Sequence, residues 1–340
     1  MKTEHLKILS EALPDVLPYP FYRGREAAWL LHQQMTGPAK VSSLRRGRLG
    51  PLLARTPVND VVAACGDGVL TPDRLLPIAD PWLTFDPDTD LAMDRPSEAA
   101  FAALCAADVI PYVVTFDQWA VDREEINWRQ LQISRRGGNL VVQVNFPDQF
   151  ERQFAQWFGW DARRGLEYYL HPVRRDGPIT MAWARLDMDP NGEDVLIEEL
   201  QTDFLRRLKS WRTHLAADAG RKRKTAAKRF IDHVLERHAA IWAEATLLAA
   251  IAVARTELGA RRIWLHQPHS GARLKNVQHG VPPRSLYSDL PRRFGFKPTD
   301  RAPGFLYPSR SQVVSRLRRS GRPVFWLLEF PRIIGQELAA

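Results

Sequence analysis

Residues 178–205 read PITMAWARLDMDPNGEDVLIEELQTDFL, and their pattern sets the fold class. Two β-rich runs, ITMAWARLDM and DVLIEELQ, flank Asp189-Pro190-Asn191-Gly192. Proline fixes φ there, and asparagine and glycine tolerate the positive φ that a tight turn needs, so an antiparallel hairpin is expected. Its second arm ends in a polar run, Glu198-Glu199-Leu200-Gln201-Thr202-Asp203. Strand alternation assigns Glu199, Gln201 and Asp203 to one face and Glu198, Leu200 and Thr202 to the other. Three hydrogen-bonding side chains in a row are costly to bury without partners. This end is therefore a candidate site, with Glu199 or Asp203 as general base toward an amine nucleophile. An exposed strand end, or pairing with an arginine such as Arg185, accounts for the same pattern.

Downstream, the basic stretch 210–242 reads as helical at both ends with an interruption at Gly220. WAEATLLAAIAVARTELG (242–259) is a helix stopped by Gly259, and the strand ARRIWLHQP follows directly. Helix, glycine and strand in that order form the second half of a β-α-β unit. A loop rich in Gly, His and Pro comes next, then a short SLYSDLPRRFGF segment, a helix PSRSQVVSRLRRSG and a last apolar strand, RPVFWLLEF. Upstream, PYVVTFDQWAV is a strand, and INWRQLQISRRGGNLVVQVNFP is expected as two strands turned by Gly137-Gly138. DQFERQFAQWFG spaces Phe150, Phe154, Trp157 and Phe158 as one helix face, the mark of a core rather than of a base-stacking platform. Residues 1–100 are short helices, among them REAAWLLHQQM after Gly24 and PVNDVVAACG. The Pro- and Asp-rich text 71–96 reads as an irregular connector, and SEAAFAALCAAD as a helix capped by Ser97. The expected architecture is mixed α/β (α+β): a mainly helical N-terminal domain over 1–110, then a mixed-sheet domain with flanking helices over 111–335, carrying a basic helical insertion at 204–240.

With 340 residues and 45% apolar content, the chain can bury a substantial core. It has no charged-then-apolar leader and no run of 18 apolar residues, and Cys65 and Cys105 sit in apolar text as reduced thiols. A cytoplasmic location without membrane contact is expected. The net charge of +9 is unevenly spread. Phe204 to Arg237 holds eleven Lys/Arg against three Asp/Glu, and Arg261 to Arg322 fourteen against two. Such asymmetry points to a polyanionic partner, either a coenzyme or a nucleic acid, although solvated basic faces give the same composition.

The run from a helix through Glu257-Leu258-Gly259 to an apolar strand, followed by Leu286-Tyr287 and Phe294-Gly295-Phe296, resembles the GNAT-type N-acetyltransferase fold over about 150 residues. The resemblance implies acyl-CoA-dependent transfer to an amine, with acetyl-CoA or another acyl-CoA as cofactor and Tyr287 as general acid for the departing thiolate; as an aromatic on a short helix, Tyr287 reads equally as core. That family holds the coenzyme pyrophosphate on a glycine-containing loop opening the central helix. Here nearly forty residues of basic character separate Asp203 from Trp242, with Gly220 their only glycine. The 180–203 text is also similar to a Trp-Ala-Arg strand and Glu-x-Gln-Ser-Asp motif in proteins of phages and other mobile elements, with Thr202 replacing the serine.

Other candidates are less distinctive. Ser270, Gly271, Arg273 and Lys275 follow a strand directly, where a loop could hold a phosphate through backbone and cationic groups. In GRKRKTAAKRF, Arg221, Lys222, Arg223, Lys224, Lys228 and Arg229 could line a helix face along a nucleic-acid backbone without reading sequence. A nucleic-acid-associated protein is thus one alternative to the transferase, and a non-catalytic subunit binding a protein partner is another. His266, His269 and His279 match no common zinc spacing, so no metal is expected. No nucleophile-elbow, Walker, dinucleotide-binding or kinase signature is present.

Overall fold

The computed structural model describes residues 1–82, 108–120, 132–159, 163–168, 171–173, 177–217, 223–275 and 284–331. Among them, eight strands form one mixed sheet: β1 (Leu17–Phe21), β2 (Ile110–Trp119), β3 (Asn139–Asn145), β4 (Thr180–Met188), β5 (Asp194–Gln201), β6 (Arg262–His266), β7 (Lys297–Thr299) and β8 (Phe325–Glu329). Their order across the sheet is β1-β2-β3-β4-β5-β6-β8-β7. The helices are α1 (Thr3–Ala12), α2 (Arg25–Gln34), α3 (Pro72–Ala79), α4 (Asp148–Phe158), α5 (Asp203–Ala217), α6 (Arg223–His238), α7 (Trp242–Ala252), α8 (Pro268–Leu274) and α9 (Tyr307–Arg318), with shorter turns between. The chain is of the mixed α/β class.

The turn at 189–192 forms as its residues require. Gly192 takes φ +74° and donates to the Asp189 carbonyl at 3.2 Å, and β4 and β5 pair antiparallel from Met188 opposite Val195. Neighbouring strands run antiparallel except β5 and β6, which are parallel from Asp194–Arg262 to Ile197–Leu265. A parallel pair needs a crossover, and α5, α6 and α7 supply it. Helix α7 packs against β3, β4 and β5 and is buried from Glu244 to Ala252. A helix apolar on all sides belongs inside, and each of its fully buried leucines, Leu247 and Leu248, contributes about 2 kcal/mol. Strand β1 pairs with β2, so the N-terminal helices share this sheet and the core that runs from Met1 to Phe330.

Three local expectations change. Gly137-Gly138 does not turn a hairpin: residues 132–137 are turn and bend, and β3 pairs with β2 and β4. The arm expected at 126–131 lies outside the described residues. The connector begins with a helix, α3, because the Thr71 hydroxyl accepts from the Arg74 N–H at 3.4 Å and Pro72 fits the first turn. Segment 268–274 is helix α8 rather than a loop, with Pro268 at its start and the Ser270 hydroxyl accepting from the Gln267 N–H at 3.1 Å. Ser97, Cys105 and His279 lie outside the described residues.

The sheet's two faces differ. Against α7 it is apolar throughout. The opposite face carries two separate apolar patches, one around Leu196, Trp264 and Phe325 and one around Trp119, Val141 and Trp183. Between those patches runs a seam of buried charge.

Candidate active site at the end of strand β5

The seam begins with an irregularity in the hairpin. Leu186 pairs with Ile197, yet Arg185 pairs with Glu199 and Ala184 with Leu200. Glu198 is therefore the extra residue of a β-bulge, and a bulge puts two consecutive side chains on one face. This corrects the alternation reading, which sent Glu198 to the far side. Glu198 meets His266 of β6, and Glu199 meets Arg185 of β4, both on the seam face.

Glu198 is sealed. Its carboxylate accepts from the Ser134 N–H and hydroxyl, each at 2.9 Å, and from His266 Nε2 at 3.0 Å, while Lys275 Nζ donates to its main-chain carbonyl at 2.8 Å. Burial alone would raise the carboxyl. The His266 contact and the charges of Lys275 and Arg185 outweigh burial and hold it at about 2. Burial pushes the His266 imidazole down, so at neutral pH it is uncharged and donates through Nε2. Burial and the nearby Arg185 charge lower Lys275 against the pull of Glu199 and Glu198. Ser134, His266 and Glu198 do not form a nucleophile relay. Hydroxyl and carboxylate both meet Nε2, whereas a relay uses opposite ring nitrogens.

Glu199 is partly exposed. Arg185, fully buried, donates Nη2 to Glu199 and, at 3.0 Å, to the Gln132 carbonyl, and its guanidinium lies over the Trp119 and Trp183 rings at 4.9 and 5.9 Å. Burial opposes the Glu199 charge, but Arg185 and Lys275 hold the carboxyl below the usual range. Next to it the sheet opens: β5–β6 pairing stops at Ile197–Leu265, while β5 continues to Gln201. Tyr287, from the turn Ser285–Asp289, fills that opening. Its hydroxyl accepts from the Leu200 N–H at 3.4 Å, and its carbonyl accepts from Trp326 Nε1 at 2.8 Å. Burial and Glu199 raise the phenol well above its ordinary range, so it stays protonated.

Asp203 ends the seam and is occupied on all sides. It accepts from His171 Nδ1 at 2.7 Å, Gln201 Nε2 at 2.7 Å, Trp183 Nε1 at 3.4 Å and Arg206. Burial works against this charge, and the bonds from His171 and Gln201 outweigh it, keeping the carboxyl low. The His171 ring sits beside the rings of Tyr168, Trp119 and Trp183 and is only half-buried. An imidazole fixed through Nδ1 by a buried carboxylate presents Nε2 as a proton acceptor.

The structure thus gathers Glu199, Gln201, Asp203, Tyr287 and Lys275. Ser270 and Gly271 are buried in α8 instead: the Ser270 hydroxyl bonds to the Val324 carbonyl, and a Cβ on Gly271 would come within 3.1 Å of His266. Arg273 is exposed on the same helix. Lys228 and Arg229 are exposed on α6; Arg221 and Lys222 lie outside the described residues, as do the side chains of Arg223 and Lys224. Sequence reasoning missed His171 and Ser134, which no local pattern marks. Arg185 was the legible one, an arginine in an apolar strand facing an acidic one. Among the described residues, no group of three His, Cys, Asp or Glu could hold a metal ion, and no single helix is long and apolar enough to cross a membrane.

No protein-family model, curated protein or solved structure matches the chain.

Proposed function

We propose that the chain transfers an acyl group from a coenzyme A-type thioester to an amine at the open end of β5. The observation that carries this reading is the parting of β5 from β6 beside the Leu200 N–H and the protonated Tyr287 hydroxyl. Acyl transfer needs a donor toward the carbonyl oxygen, a base for the amine and an acid for the leaving thiolate. In this reading the Tyr287 hydroxyl, which accepts from the Leu200 N–H and keeps its own proton, is the donor toward the carbonyl, and His171, oriented by Asp203, takes the amine proton. The C–S bond breaks as the C–N bond forms, and Tyr287 protonates the thiolate. His171 suits the base role better than Glu199 or Asp203, because both carboxylates are held low by cations and hydrogen bonds.

The test is calorimetric titration with acetyl-CoA, followed by free-thiol release in the presence of a panel of primary amines. Saturable binding is expected, with Tyr287→Phe and His171→Ala each lowering turnover on the order of 100-fold while binding persists. Absence of saturable acetyl-CoA binding sinks the proposal.

A further inference from the structure

We propose that a second site, independent of the acyl-transfer reading, binds a small oligophosphate. A cavity of about 360 Å³ lies between α2 and the short helix Gly50–Leu53 on one side and strands β7 and β8 with the turn Leu290–Arg293 on the other. Six cations line it: Arg48, Arg55, Arg292, Arg293, Lys297 and Arg301. One carboxylate, Glu329, lies among them, 3.7 Å from Arg301.

Converging like charges destabilise a fold unless something holds them or answers them. Four of the six are held. Arg55 and Arg293 reach the buried Glu26 at 2.9 and 3.4 Å, and Arg293 also reaches the buried Glu244 at 2.6 Å. Arg292 reaches Asp289 at 3.6 Å and lies over the Trp326 ring at 5.5 Å, and Arg301 lies over the Trp264 ring at 5.8 Å. Among the described residues, Arg48 and Lys297 make no ion pair, and both are exposed. Setting six cations against Glu26, Glu244, Glu329 and Asp289 leaves two positive charges unanswered. Guanidinium forks pair bidentately with phosphate oxygens, and pinned forks lose little freedom on binding. The cavity falls within the size range of small-molecule sites, about 300–1,000 Å³. A short run of linked phosphates matches the volume and the excess of positive charge. A nucleic-acid backbone calls instead for cations spread along a track, and these six line a single cavity.

The experiment titrates the full chain with tripolyphosphate by calorimetry at low and near-physiological salt. Arg48→Glu and Lys297→Glu, singly and together, are compared with Lys228→Glu/Arg229→Glu on α6, an equal change of charge elsewhere. One-site binding is expected, weakened about tenfold or more by each cleft reversal and less than about twofold by the α6 pair, tenfold being about 1.4 kcal/mol. Three results overturn the inference: no saturable binding, equal weakening by the α6 control, or a short DNA duplex whose binding needs Arg48 and Lys297 while tripolyphosphate does not bind.

Discussion

Replacing Glu198 by glutamine keeps the shape of the most buried carboxylate in the seam and removes its charge. The carboxylate accepts three hydrogen bonds, two from Ser134 and one from His266. An amide offers one oxygen and turns its NH2 toward another donor, leaving a buried group unsatisfied at about 1–3 kcal/mol. The charge adds a second effect. A carboxyl held at about 2 in the fold, against an ordinary 4.5, corresponds to about 3 kcal/mol of stability above the ordinary value. Together these place Glu198→Gln about 4–6 kcal/mol below the unchanged protein near neutral pH, at the upper end of the cost of breaking a buried ion pair. Because the folded value is depressed, the charge contribution is fully present above pH 4.5 and is lost as pH falls toward 2. Urea unfolding of both proteins, extrapolated to water near pH 7 and near pH 3, should give a gap that narrows on acidification. A gap under about 1 kcal/mol near pH 7, or one that widens in acid, would refute the account of Glu198 as a charge stabilised by its surroundings.

Three further outcomes follow from the same physics. Gly24 has φ +93°, and a Cβ there would lie 2.1 Å from the Thr56 carbonyl oxygen, so Gly24→Ala should lower unfolding free energy by about 2 kcal/mol or more; an unchanged urea midpoint would contradict it. His238 bonds to the Tyr112 hydroxyl at 2.5 Å, and burial, with the Arg237 and His233 charges, pushes its imidazole down to about 4. The unfolded chain takes up that proton first, so stability should fall by up to about 3 kcal/mol between the ordinary 6.5 and 4, and His238→Gln should flatten that part of the urea pH profile. Leu247→Ala, in the fully buried α7, should cost about 2–5 kcal/mol by calorimetric melting, and a smaller loss would mean that the core collapses around the cavity.

Local chemistry was legible in the amino-acid order wherever one short segment carried the whole signal. Asp189-Pro190-Asn191-Gly192 specified its turn, Gly259 at φ +73° ended the helix that begins at Trp242, and the strand after it completed the parallel crossover. Period and turn residues suffice there because the partners lie within a few positions. The arrangement of the seam was a matter of tertiary structure. The bulge at Glu198 reverses a parity that strand alternation takes for granted, and the donors that hold it arrive from Ser134, His266 and Lys275 on other elements. Helix α8 was hidden for a related reason, since the Ser270 hydroxyl finds its acceptor at Val324, 54 residues away. His171 is oriented only through Asp203, 32 residues on, and the cationic cleft joins residue 48 to residue 301. A buried charge takes its meaning from what surrounds it in space, and sequence neighbours say little about those surroundings.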